Sequence, residues 1–312
     1  MKKSLAIFSL LSLFAVQIYA QASGAGAAHG GELTLRAFQK AYPDKISGVA
    51  FTGNDWTITV GRETFYWAGG RLLPKELLDK IDSYSPHMFY TIPAKPASPE
   101  SLSPEYITGL RSRGSNEARL ERRDSHRAFY SALYGGIERA EIEEKIERVD
   151  FLGFKVSVHR DIAAPLRQVD EEIRKLEGSK AFINSIGSID GYSWRQIAGT
   201  QRMSYHSWGL AVDIQPRSLG GKAIYWLWER GRNEDWMLVP LDRRWSPPEP
   251  VIEIFEQAGF IWGGKWIFYD NMHFEYRPEL HELGRLTAES SAAAGSGREL
   301  HHIYPDGIQG KR

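Results

Sequence analysis

The chain has no cysteine in its 312 residues, which excludes both a disulfide framework and a lipid-modified N-terminal cysteine. It also lacks an excess of either charge: 39 Lys and Arg balance 39 Asp and Glu. No global field would draw it to nucleic acid or to an anionic membrane, so neither is expected as a partner. Long apolar runs are missing except near the start, where Lys2 and Lys3 precede an almost wholly apolar stretch from Leu5 to Val16. That stretch is short for a membrane span. Small residues follow at Ala20 and Ala22, so residues 1–22 read as a signal peptide cleaved near one of them. The expectation is an exported protein, periplasmic or associated with the cell envelope, with no stable membrane insertion once the leader is removed. Without disulfides it must be held by its core, and the length is ample for one.

Aromatic residues are plentiful, and the ten Trp concentrate in the second half. Most are expected in the core, where large aromatics dominate buried area. Residues 23–92 read as a small mixed module behind a Gly/Ala-rich lead-in. Within it Trp56 to Val60 alternates as a half-buried strand, Gly61-Arg62-Glu63 turns, and Thr64 to Trp67 returns. Residues 93–148 read as a Pro/Ser-rich linker followed by charged helices, Asn116 to Tyr134 and Ile137 to Arg148. From 149 to 286 strands and helices mix. Phe151 to Val158 is a predicted strand, and Ile162, Leu166, Val169, Ile173 and Leu176 have helical spacing ended by Gly178. Phe182 to Ile189, Ala211 to Ile214, Phe260 to Trp262 and His273 to Tyr276 are further strands. This mixture predicts an α+β domain with a central antiparallel sheet and flanking helices. Residues 287–312, Ala/Ser/Gly-rich and then polar, read as a flexible tail.

The stretch with most chemical content runs from Ser204 through His206, Gly209 and Ala211 to Asp213, and is answered by Asp270 and His273. Two imidazoles and a carboxylate are a donor set for one Zn²⁺, with the fourth position left for water. In a strand alternate residues share a face, so Asp213 aligns with Ala211 and Gly209 but not with His206. His206 is therefore expected in a loop curling back over the metal, with Gly209 allowing the bend. Asp270 and His273 break strand parity, which predicts a turn or bulge at Asn271-Met272. Glu275 shares parity with His273 and is placed to orient its imidazole.

The pattern S-x-H-x-x-G-x-A-x-D followed by D-x-x-H resembles the M15 metallopeptidases, whose fold hedgehog signalling domains share. Trp262-Gly263-Gly264-Lys265-Trp266 and Met272 to Tyr276 are also similar to bacterial M15 sequences. The resemblance covers the second domain, under half of the chain. It implies one Zn²⁺ per chain held by His206, Asp213 and His273, with Asp270 as general base toward the attacking water. It also implies peptidoglycan stem peptides as substrate. The family's carboxypeptidases and dipeptidases usually carry Glu at the base position, and its L-alanyl-D-glutamate endopeptidases more often Asp. A cation for the oxyanion or a substrate carboxylate is expected from Arg195, which follows a Gly-Tyr pair, or from Arg202; arginine binds carboxylates bidentately. Ser204 is expected to bind substrate or hold the loop. The rival reading is a non-catalytic zinc-containing protein that binds cell wall or a partner on the hedgehog-like scaffold. A retained Asp270 argues against it, since a structural zinc needs no base. The partner of the N-terminal module is unknown: cell-wall binding, partner binding and shielding of the site all stay open.

Other signals fail. Gly259 to Lys265 has phosphate-loop spacing, but Trp266 stands where Ser or Thr is required. His281-Glu282 lacks the second histidine of H-E-x-x-H. No nucleophile-elbow sequence surrounds Ser204. His159, at a strand end, reads as structural.

Overall fold

The computed structural model describes residues 30–121 and 123–293. The expected signal peptide and residues 294–312 of the expected tail lie outside them. The chain enters in a helix over residues 30–41 (α1) that turns Leu35 and Phe38 inward. A meander follows: β1 (Ile46–Thr52), β2 (Asp55–Val60), β3 (Glu63–Tyr66) and β4 (Leu73–Pro74), antiparallel in chain order. Ile58, Val60 and Phe65 point into the core.

The middle of the chain is more broken than periodicity suggested. Instead of one helix from Asn116 to Tyr134 there are α2 (Pro104–Gly114), α3 (Asn116–Leu120) and α4 (Ala128–Tyr134). Ser103 and Ser115 cap the first two by accepting from the Tyr106 and Ala118 amides, the usual mark of a helix start. The expected helix from Ile137 to Arg148 is only α5 (Arg139–Glu143), and the chain then enters β5 (Ile146–Phe151). Nor is Phe151 to Val158 a single strand. Leu152 (φ 50°) and Gly153 (φ 91°) form a two-residue turn with both φ positive, the hairpin geometry of type I′. They join β5 to β6 (Phe154–His159).

The long amphipathic helix α6 (Arg160–Lys175) starts at His159, whose ring accepts the Asp161 amide. Its buried side is Ile162, Leu166, Val169 and Ile173, the spacing expected of one helical face. Residues 182–185 are helical, within α7 (Ser179–Ser185), and extended structure begins only at β7 (Ile186–Asp190). The central sheet has order β7-β8-β10-β9, built with β8 (Ala211–Pro216), β9 (Phe260–Trp262) and β10 (His273–Tyr276), and every pairing is antiparallel. Between them lie α8 (Trp226–Arg230) and α9 (Glu249–Gln257). The last helix, α10 (Pro278–Ala293), continues through residues 287–293, where a loose tail was expected. It is anchored by Leu280 and Leu283 against Ala37, Tyr90 and Ile261.

One hydrophobic core ties the N-terminal meander to the central sheet. Leu35, Phe38, Ile58 and Phe65 pack in the same cluster as Phe129, Phe151, Leu166, Val212 and Phe274. Phe129 stands edge-on to Phe38 at 5.0 Å and to Phe65 at 5.5 Å, and its neighbour Tyr130 meets Phe38 at 6.4 Å and Tyr205 at 6.1 Å. Each such buried ring contributes roughly 1.5–3 kcal/mol. The stretch from 93 to 148 is thus more than a linker: it carries the rings that join the two halves.

Candidate metal centre

Two neighbouring strands bring the candidate ligands together. In the β8–β10 register His273 stands opposite Asp213. His206 arrives from a single 3₁₀ turn, Tyr205–Trp208, capped by Ser204, whose hydroxyl accepts the His206 amide at 3.3 Å. Gly209 ends that turn with φ 67°, and a side chain there would meet the His159 nitrogen at 2.6 Å; only glycine fits both demands. The chain then enters β8 with Asp213 inward. On the other side the His273 amide bonds back to the Asp270 carbonyl at 3.2 Å. That turn lets two residues three apart face one space.

Ligand atoms of His206, Asp213 and His273 lie within 4.8 Å of one another, and all three residues are buried. His206 Nδ1 is 2.6 Å from the Gly191 carbonyl, which can only accept. Nδ1 therefore carries the hydrogen, and in a neutral ring Nε2 presents its lone pair. That lone pair faces Asp213 Oδ1 at 3.1 Å yet makes no hydrogen bond, so the contact has ion-pair distance without hydrogen-bond alignment. Two acceptors so close call for a proton or a cation between them. His273 Nδ1 lies 2.9 Å from the same Asp213 oxygen, and its Nε2 lies 3.2 Å from Glu275 Oε2. Glu275 thereby fixes the tautomer that leaves Nδ1 free for a metal.

Electrostatics argue the same way. Asp213, Glu275 and Glu279 are buried carboxylates, and the buried Arg277 guanidinium pairs with the latter two. In the absence of a metal the His273 imidazolium must make up the deficit. Burial works against its charge, but hydrogen bonds to Asp213 and Glu275 raise its pKa to about 10. Burial would likewise raise the Asp213 carboxyl, yet the neighbouring His206 and His273 rings, the latter by a hydrogen bond, hold it well below the usual carboxylate range. Neutral imidazoles and a carboxylate with an excess of negative charge suit a divalent cation, and mixed nitrogen and oxygen donors suit zinc.

The cluster opens into a cavity of about 680 Å³ lined among others by Asp270, Arg195, Arg202, Ser204, Tyr225, Trp228 and Trp266. Asp270 Oδ1 is shielded from solvent and unpartnered. Burial, and then the nearby Asp213 charge, push its pKa up to about 7. Arg195 is half-exposed, with Nη2 4.0 Å from Asp213 Oδ2, and its charge acts on Asp270. Arg202 lines the same cavity, but its charge acts on His87 and Asp124. Ser204 is spent on the cap. His159 is structural, with one ring nitrogen 3.0 Å from the Tyr134 carbonyl and the other accepting the Asp161 amide.

Neighbours of the site missed in the sequence include Met88, Tyr90, Tyr225, Trp228 and Arg277. Tyr90 accepts the Trp266 indole N–H at 2.8 Å, and Trp266 packs against His273 at 5.5 Å. A faint signal existed only for Arg277, in the alternation of Glu275, Arg277 and Glu279.

Residues 198–276 match a family model described as D-alanyl-D-alanine carboxypeptidase of the M15 peptidases. The metal-centre segment is M15-like. That match spans all three candidate ligands, Asp270 and Glu275. Residues 34–89 match a second model, described as a domain of unknown function (DUF8518), which corresponds to most of α1, the meander, a 3₁₀ stretch over Lys75–Ser83 and the irregular segment that contains Met88. Comparison with the curated proteins and with the solved structures gives no match.

Proposed function

We propose that the protein is a zinc-dependent peptidase that hydrolyses peptidoglycan stem peptides, with one Zn²⁺ held by His206, Asp213 and His273 and Asp270 as general base. The observation that carries this reading is the juxtaposition of His206 Nε2, bare and facing Asp213, with the unpartnered Asp270 Oδ1 in one cavity. A purely structural metal has no use for a poised, solvent-shielded carboxylate. When bound, zinc supplies Lewis-acid chemistry that acidifies a water and polarises the carbonyl under attack.

The chain's own residues do the rest. Asp270 takes the proton of the attacking water at Oδ1 and returns it to the departing amine; burial keeps its basicity near neutrality, the useful range for general-base work. Glu275 holds the His273 ring by its Nε2–H. Arg195 pairs with a substrate carboxylate next to the scissile bond. Both candidate bonds offer one: the terminal carboxylate of D-Ala-D-Ala, or the α-carboxylate of D-Glu. The matched family's description favours carboxypeptidase action, whereas aspartate at position 270 favours the endopeptidase branch.

The exposed indole of Trp228 and the ring of Tyr225, edge-on at 5.7 Å, stand at the cavity and give the substrate an apolar contact. No helix among the described residues is long and apolar enough to cross a membrane. The test is digestion of purified peptidoglycan, scored by mass spectrometry with and without a chelator. Free D-Ala alone marks a carboxypeptidase, and new fragments with freed D-Glu amines mark an endopeptidase. No chelator-sensitive product of either kind would overturn the proposal.

A further inference from the structure

We propose that Arg277 is a positioning residue of the metal centre, locked there by the N-terminal segment, so that the N-terminal half is a working part of the site. This rests on the metal reading above. Arg277 is 3% exposed and lies just beyond the matched peptidase segment, which ends at residue 276. Its guanidinium reaches four partners, two flanking it at 275 and 279 and two from distant parts of the chain. Nη1 donates to Glu275 Oε1 at 3.3 Å, and Glu275 in turn holds His273. Its Cζ lies 5.1 Å from the centre of the Tyr205 ring, and Tyr205 opens the turn that carries His206. Nε donates to Glu279 at the start of α10. Nη2 donates to the Met88 carbonyl at 3.1 Å.

One rigid fork thus touches the supports of both candidate histidines. Arginine suits this because its donors are fixed in a plane and its charge cannot be lost. The N-terminal half fixes the fork from two sides. The Met88 carbonyl takes an N–H that would otherwise be buried without a partner, a costly state. The Tyr42 hydroxyl donates to Glu279 Oε2 at 3.0 Å and shares a hydrogen bond with Tyr134 at 2.7 Å. Second-layer partners of metal ligands typically govern affinity by 10–100-fold. The N-terminal half enters the centre through that layer without supplying a ligand.

The experiment measures zinc affinity of the full chain by competition with a chromophoric chelator, and the visible spectrum of the Co²⁺-substituted protein. Arg277→Met is expected to weaken zinc binding by about 10–100-fold and to shift the Co²⁺ bands. Tyr42→Phe, one hydroxyl lost at a distance, is expected to weaken it by about threefold. Phe65→Leu is the control: it loosens the same N-terminal core without touching the chain of contacts. It should lower Tm while leaving affinity within about twofold, on the scale of one core packing defect. A folded Arg277→Met protein that binds zinc like wild type overturns the inference. So does a Phe65→Leu protein that loses as much affinity as Arg277→Met. If Arg277→Met does not fold, unchanged affinity in Tyr42→Phe is the refuting result. Wild type that binds no zinc refutes the metal reading together with this one, whereas normal wild-type binding with an unaffected Arg277→Met refutes this one alone.

Discussion

Replacing Asp270 with Asn should abolish turnover, keep the metal, and make the metal-free protein more stable. Asn has nearly the same shape but cannot accept the water's proton. General-base catalysis contributes 10²–10⁴-fold, or roughly 3–5 kcal/mol of transition-state stabilisation. The metal should remain, because the three converging ligand atoms belong to His206, Asp213 and His273. The stability gain follows from the same burial that makes the group a good base. Burial and the Asp213 charge raise its pKa from 3.8 to about 7 in the folded, metal-free chain. For an acid shifted upward, folding costs nothing from this group below pH 3.8. The penalty grows as the pH rises, because the unfolded chain ionises first, and levels off above about 7. Each pH unit of that window is worth about 1.4 kcal/mol, so the penalty at neutral pH is on the order of a few kcal/mol. Asp270→Asn should remove it: the chelator-treated variant should melt above wild type at about pH 7 and close to it at about pH 4. The assays are turnover on stem peptide, metal content, and thermal unfolding of both chelated proteins across that range. Turnover within about threefold of wild type, or a variant that melts lower at neutral pH, would refute the reasoning.

Other perturbations separate the parts of the site. His206→Ala leaves two protein ligands and should bring zinc well below one per chain by metal analysis, with a lower Tm because metal favours the folded state. Arg195→Ala should lower kcat/KM by roughly 1.5–3 kcal/mol, the scale of a hydrogen bond to a charged group; a change below about 0.5 kcal/mol moves the role to Arg202. Gly191→Ala would place a methyl 2.2 Å from the Ser157 carbonyl and displace the carbonyl that holds His206 Nδ1. It should cost about 1–3 kcal/mol in unfolding free energy and weaken zinc binding by the same chelator assay.

Local chemistry and local periodicity were legible in the sequence. The candidate cluster His206, Asp213 and His273 could be read because each residue type advertises its chemistry and because strand parity exposes what departs from it. The amphipathic stripe of α6 and the hairpin of β2 and β3 repeat every few residues, so a short window contains the whole signal. Short elements were misread where a local backbone choice overrode that window. Leu152 takes a left-handed conformation that a leucine does not advertise, which split one apparent strand into two. Ser115 restarts a helix inside a charged run that otherwise looks continuous.

The long-range partners belong to the tertiary structure. Met88 offers only a backbone carbonyl, which has no sequence signature. Tyr42 reaches Glu279 across 237 residues, and Tyr90 reaches Trp266 across 176. The pairing of the candidate histidines with Asp213 was written in residue types and spacing. What holds those side chains in place was decided by the shared core, because an arginine beside two glutamates becomes a fixed support only when packing removes the water that would otherwise satisfy it.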